Sequence, residues 1–220
     1  MQLTQQFIAV LSTLISLILS SAIVFSFMKK LSHDYRHKKD VHSIQMRNSN
    51  LFWGLGMFTF AIAVLIELVF ALGVYSTILA KVYFFIVLFL VELLAIGSIQ
   101  IFNSKFVKNI YYAYTFAVTL VSILLIAVSK MPNPVVNYVV IGMPSQSVII
   151  ISSLATSVAV IIILAGAILS YMKTKRIKIL SIIIGVILFS AAGTLYIVSF
   201  PELLYYGELI AVIFLWLGMV

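Results

Sequence analysis

Three carboxylates occupy the positions where charge is most costly. Glu67, Glu92 and Glu208 each fall inside an apolar run long enough to be read as a membrane span. An ionisable side chain inside a bilayer faces the bundle interior or a water-filled space, and it marks an ion or proton path by default. A carboxyl there can carry a proton, ligate a cation, or pair with a tyrosine hydroxyl or with Lys81. Two readings stand side by side for each acid: a transport or proton-carrying group, and a neutral structural acid hydrogen-bonded to a neighbouring helix. Glu202 lies at a span end and reads as solvated. The three histidines, His33, His37 and His42, lie together outside the spans. His33 and His37 are one helical turn apart, a permissible ligand spacing. The lysines and arginines around them make a poor cation site, however, and a basic segment against anionic lipid is the better reading.

The elements that must position the acids follow from composition. The chain has 220 residues, 64% hydrophobic and 9% charged, with a mean hydropathy of +1.23. Soluble domains carry about 25% charged residues, so too little polar surface exists here to coat a water-facing globule. The net charge of +8 sits in short clusters between apolar runs, the pattern of membrane orientation and not of nucleic-acid binding. With no cysteine, disulfides, thiol chemistry and cysteine-ligated metals are excluded.

A helix needs roughly 20 apolar residues to cross the ~30 Å hydrocarbon core. Seven segments qualify: Phe7–Met28, Leu51–Tyr75, Val82–Phe102, Phe106–Val128, Ser147–Tyr171, Ile177–Phe200 and Leu203–Val220. They lack the alternation of barrel strands, so the fold class is an all-α membrane protein with seven transmembrane helices. Pro201 is expected to separate the last two. Lys29, Lys30, Arg36, Lys38, Lys39, Arg47, Lys105, Lys108, Lys173, Lys175, Arg176 and Lys178 fall on one side, and only Lys81 and Lys130 on the other. The rich side is expected to be cytoplasmic, giving an N-out, C-in, multi-pass protein of the cell membrane. The first span has no basic stretch before it and reads as a retained anchor rather than a signal peptide.

At ~1.5 Å rise per residue, Glu92 lies roughly 15 Å below the outer surface, with Glu67 and Glu208 higher, at roughly 6–9 Å. Gly56, Ala63 and Ala71 share a face with Glu67, which points that acid inward along a close-packing stripe. Similar stripes run through Thr115, Thr119 and Ser122, through Thr156, Ala159 and Ser170, and through Ser181, Gly185 and Ala192. Between the fourth and fifth spans, Val135–Ile141 is flanked by Pro132, Pro134, Gly142 and Pro144, which suits a short hairpin or re-entrant lid.

An internal repeat is also legible. Ser26-Phe27-Met28-Lys29 closes the first span much as Ser170-Tyr171-Met172-Lys173 closes the fifth, and Val82-Tyr83-Phe84-Phe85 matches Leu204-Tyr205-Tyr206-Gly207. A single domain, 1–220, would then hold parallel repeats at 7–102 and 147–220 joined by a linker helix at 106–128. The arrangement resembles that of the SWEET and PQ-loop transporters, although neither the first nor the fifth span has an internal Pro-Gln or Pro-Asn pair. Seven-helix rhodopsins share a similar pseudo-repeat, so the repeat alone does not separate transport from sensing.

The stretch Gly193-Thr194-Leu195, then Pro201-Glu202-Leu203-Leu204-Tyr205-Tyr206-Gly207-Glu208-Leu209, resembles uncharacterised seven-helix membrane proteins of archaea and actinobacteria. The segment Asn133–Pro144 and a trace around Lys81–Ile96 are similar too. That resemblance implies the topology and no activity. The last span holds no lysine for a retinal Schiff base, no span holds a histidine for haem, and no nucleotide or zinc-protease motif occurs. No catalytic, metal or cofactor residue is therefore expected. The leading expectation is a small permease or channel-like protein, proton-coupled through Glu67 and Glu92, with Glu208 a further candidate. The alternative is a non-enzymatic sensor or accessory subunit, and the expected partners are the bilayer, anionic lipid at the basic segments, and a second copy or another membrane subunit.

Overall fold

A computed structural model describes residues 2–37, 41–130, 135–136, 139–140, 145–197 and 202–219. Seven helices follow in order: α1 (Gln2–His37), α2 (Val41–Ala71), α3 (Thr77–Ile99), α4 (Lys105–Val128), α5 (Gln146–Thr174), α6 (Ile177–Ile197) and α7 (Glu202–Met219). The first five are long and apolar enough to cross a membrane, while the apolar stretches of the last two, Ile177–Gly193 and Leu204–Met219, are shorter. Large apolar side chains are exposed on every helix, among them Phe25, Phe58, Phe116, Ile161, Ile187 and Leu217, an exterior suited to lipid.

The helices close into a ring in the order α1, α2, α3, α5, α6, α7, with α7 returning to α1, and α4 lies outside in the groove between α3 and α5. Sequence explains the outside position. On α4 only one narrow face is buried, Tyr111, Thr115, Val118, Ser122 and Ile126, at spacings of three and four residues. On α1 the inward face is small and hydroxylated: Ala9, Ser12, Thr13, Ser16 and Ser20. The Ser12, Thr13 and Ser20 hydroxyls donate to carbonyls of their own helix, so this face packs closely with no need of an outside partner.

Side chains tie the helix ends together. Gln6 donates to the Ala71 carbonyl, Lys81 to the Ala127 carbonyl, and Lys30 to the Met219 carbonyl at 2.6 Å. Lys30 thus supplies positive charge where α7 ends in unsatisfied carbonyls.

Glycine-lined seams set the spacing inside the two tight pairs. A Cβ on Gly56 of α2 would meet the Leu94 side chain and the Leu90 carbonyl of α3, and one on Gly185 of α6 would meet the Leu215 side chain and the Ala211 carbonyl of α7. Gly97 of α3 abuts Trp53 and the Ser49 carbonyl, while Gly218 of α7 abuts Ile182 and the Lys178 carbonyl. The spacing 49, 53, 56 on α2 is therefore the spacing 178, 182, 185 on α6, and 90, 94, 97 on α3 is 211, 215, 218 on α7. One turn beyond the α2 and α6 glycines, Phe60 and Phe189 meet each other edge to face, 5.2 Å between ring centres.

One difference from the sequence reading concerns the first basic loop. The basic stretch after the first span is largely helical: α1 continues to His37 and α2 already begins at Val41. No glycine or proline occurs from Lys29 to Asn50, and lysine, arginine, glutamine and methionine all sustain a helix, so loss of hydropathy does not end it. The expected hairpin does form, with β1 (Val135–Val136) antiparallel to β2 (Val139–Val140), and β2 lies beside α2. Pro132, Pro134, Gly142, Pro144 and Pro201 lie outside the described residues.

Candidate functional site

Glu67 is 1% exposed on α2 and Glu208 is 7% exposed on α7. Their carboxyls interact directly. The third member is Tyr83 of α3, whose hydroxyl donates to Glu67 Oε1 at 2.6 Å. The local sequence accounts for this meeting. Gly56 keeps the α3-facing side of α2 low, and the close approach lets a tyrosine on the first turns of α3 reach the acid; Ala71, on the same stripe in sequence, packs instead against Ala9 of α1 and Tyr205 of α7. The Tyr83 ring is held between Phe70 and Phe84, edge to face at 5.9 and 5.6 Å. On α7, Gly207 lets the helix press against Ala192 of α6, where an added Cβ would come within 2.5 Å of the Ala192 Cβ.

Glu67 Oε2 has no hydrogen-bond partner among the described groups. An ionised carboxylate only accepts, and two carboxylates in contact away from water repel strongly. A proton shared by the Glu67–Glu208 pair would remove that repulsion.

The pair borders a cavity of about 440 Å³ enclosed by α2, α3, α5, α6 and α7. Tyr83 and Glu208 reach its wall, and Trp53, Phe60, Phe84 and Phe189 give it aromatic faces. On the α5 side it is hydroxylated by Ser152, Ser153, Thr156 and Ser157, and Ser190 adds one more from α6. None of the residues of α1 or α4 lines it, and among the described residues no lysine or arginine does.

Glu92 stands apart. It is 2% exposed and does not line the cavity. The Thr119 hydroxyl of α4 donates to its Oε2, and its Oε1 has no partner among the described groups. Two of the three acids singled out in the sequence thus converge, and the third joins α3 to the outlying helix. Thr119→Val is expected to lower stability by about 0.6–1.7 kcal/mol, the range for a hydrogen bond between membrane helices, with no change in ligand binding at the cavity. Thermal unfolding in detergent reads the first and a binding assay the second.

Sequence reasoning passed over Tyr83 and most of the α5 hydroxyls. Their signal was present: Ser152 and Thr156, and Ser153 and Ser157, are two pairs one turn apart, which places four hydroxyls on adjoining rows of one helix. Gly193 was also missed as a lining residue, and among the described residues a Cβ added there meets nothing within 4 Å. Gly193→Ala is accordingly expected to raise stability by about 0.5–1 kcal/mol, since it removes only backbone freedom from the unfolded chain. A fall in melting temperature would contradict the open space. His33, His37 and His42 have side chains outside the described set, and among the described residues no group of three or more metal-ligating side chains occurs.

No family model, no curated protein and no solved structure matches this chain.

Proposed function

We propose that the chain is a small proton-coupled permease whose transport site is the cavity between two helix triplets. The observation that carries this reading is a buried acid pair at the cavity: Glu208 lines a space large enough for a small molecule and Glu67 lies behind it, and in this reading the pair carries the coupled proton. In this reading all seven helices cross the bilayer, with the N-terminus outside and the basic end in the cytoplasm against anionic lipid. Helices α1–α3 and α5–α7 are parallel copies. The recurrence of 49, 53, 56 and 90, 94, 97 as 178, 182, 185 and 211, 215, 218 supports the duplication, and it aligns Phe84 with Tyr205, one residue away from the match drawn on sequence alone. Membership of the archaeal and actinobacterial group named above belongs to the same proposal. The coupling acid is Glu208 with Glu67, and Glu92 is given a helix-joining role.

Reconstituted in liposomes with a pH-sensitive dye inside, the chain should give a solute-dependent proton movement with some member of a panel of cationic, neutral and anionic solutes. No movement with any of them, from folded protein in both orientations, would sink the permease reading. The alternative, a sensor or accessory subunit, draws on Glu92, an acid that bridges two helices and does not line this cavity. A membrane partner that co-purifies in fixed ratio, with no flux, would favour it. The absence of cysteine makes topology directly testable: single cysteines placed at Ser76 and Lys105 should label from opposite sides.

A further inference from the structure

The cavity wall is chemically one-sided in a way that selects a ligand class. Its only described ionisable groups are the carboxyl of Glu208, backed by Glu67, and the hydroxyl of Tyr83. No described lysine or arginine offsets them. Trp53, Phe60, Phe84 and Phe189 also line the space, and a cation over the face of such a ring is attracted through its quadrupole. An anion would meet no described counter-charge, whereas a cation can displace a proton from the pair and face the carboxylate left behind, so the lining favours a cation.

Size and lining then decide between kinds of cation. A bare metal ion needs a close shell of oxygen ligands, whereas this space is about 440 Å³ and mostly walled by apolar and aromatic residues. That volume lies within the range of about 300–1,000 Å³ usual for small-molecule sites. The serines and threonine of α5 give a weakly polar strip that can face a polarised edge of the ligand. Ser157 lines the space and is itself exposed, so access runs along α5.

We propose that this cavity binds a monovalent organic cation with an aromatic or branched apolar body, its charge beside Glu208 and its body against the rings of Trp53, Phe60 and Phe189. The proposal rests on the permease reading for its biological sense, but binding requires no flux. Charge balances simply: a cation that enters the doubly protonated pair releases one proton, and one that enters the singly protonated pair neutralises it. Among the described residues, Glu67 on α2, Tyr83 on α3 and Glu208 on α7 are the titratable groups of the pair and its cavity wall.

Tetraphenylphosphonium is a suitable probe, with tetraphenylborate as the match in shape and opposite in sign. Equilibrium dialysis against the purified full chain in detergent should give saturable binding near one per chain. In a Trp216→Phe background the remaining indole, Trp53, lines the cavity, and its fluorescence should change with the same saturation. Tetraphenylborate should not compete. Glu208→Gln should weaken binding about tenfold or more. Gly193→Phe, which fills open space, should abolish it, and Ser153→Leu serves the same purpose from the α5 wall if that variant misfolds. Uptake equal to that of empty micelles, equal competition by the borate, or an unchanged affinity in Glu208→Gln would overturn the proposal. Binding without transport would fail the permease reading alone, and proton-coupled transport of a neutral solute with no cation binding would fail this inference alone.

Discussion

Glu208→Gln is expected to abolish proton coupling, cutting solute-driven proton movement by about a hundredfold or more, the scale lost when a positioned proton carrier is removed. The argument is one of chemistry at constant shape. Glutamine keeps the size of the side chain and can donate an amide hydrogen to Glu67, so the pair stays bonded and one carboxylate is still compensated. What disappears is a proton that can leave. The melting temperature should therefore move by less than about 4 °C, while flux falls. Glu208→Leu is the instructive contrast: Glu67 keeps the Tyr83 hydroxyl but loses its carboxyl neighbour on α7, so its buried second oxygen has no acid left to share a proton with, and both stability and flux should fall. If Glu208→Gln transports normally, the acid pair is structural and the sensor or subunit reading gains.

Gly97→Leu should have the largest effect on folding, costing about 3 kcal/mol or more, at the upper end of overpacking penalties. The first atom of the new side chain would lie 2.6 Å from Trp53 Cδ1 and 3.1 Å from both the Ser49 carbonyl oxygen and the Trp53 amide nitrogen. The indole can turn, but the backbone of α2 cannot withdraw without opening the α2–α3 seam along its length. The same opening would separate Tyr83 from Glu67, so cation binding should weaken together with stability. At the corresponding seam, Gly218 sits at the end of α7, with Ile182 Cγ1 at 2.4 Å and the Lys178 carbonyl at 2.9 Å. The last turn of a helix is held by neighbours on one side only and shifts more easily than mid-helix backbone, so Gly218→Leu should cost clearly less. Thermal unfolding followed by size-exclusion chromatography ranks the two, and equal losses would contradict this account.

Much of this was legible in the chain. Apolar run length marks all seven helices, and the stripe of Gly56, Ala63 and Ala71 turns Glu67 inward toward a tyrosine hydroxyl. Counting residues along the spans already sets Glu67 and Glu208 at one level and Glu92 deeper, which matches their meeting and its isolation. What stayed hidden has physical causes. Burial of an acid on α3 does not say which neighbour it faces, because α3 packs against α2, α4 and α5 together, and Glu92 turns to α4. The run from Lys29 to His37 reads as loop because hydropathy measures affinity for lipid, and a polar helix keeps its backbone bonds outside the bilayer. The cavity has no linear signature at all: its wall is gathered from five helices.

The outlying position of α4 bears on how such a chain is threaded during synthesis. Three crossings finish on the face opposite to the one where they began, so two like-oriented triplets cannot be joined by a short loop. Under the proposed duplication one more crossing must carry the chain back, and α4 would be that crossing while adding nothing to the cavity wall. A half-length ancestor of three helices would have needed no return helix. Two such subunits, set side by side in one direction, would already close a six-helix ring, and fusion into one gene would add only the helix that preserves the direction of travel.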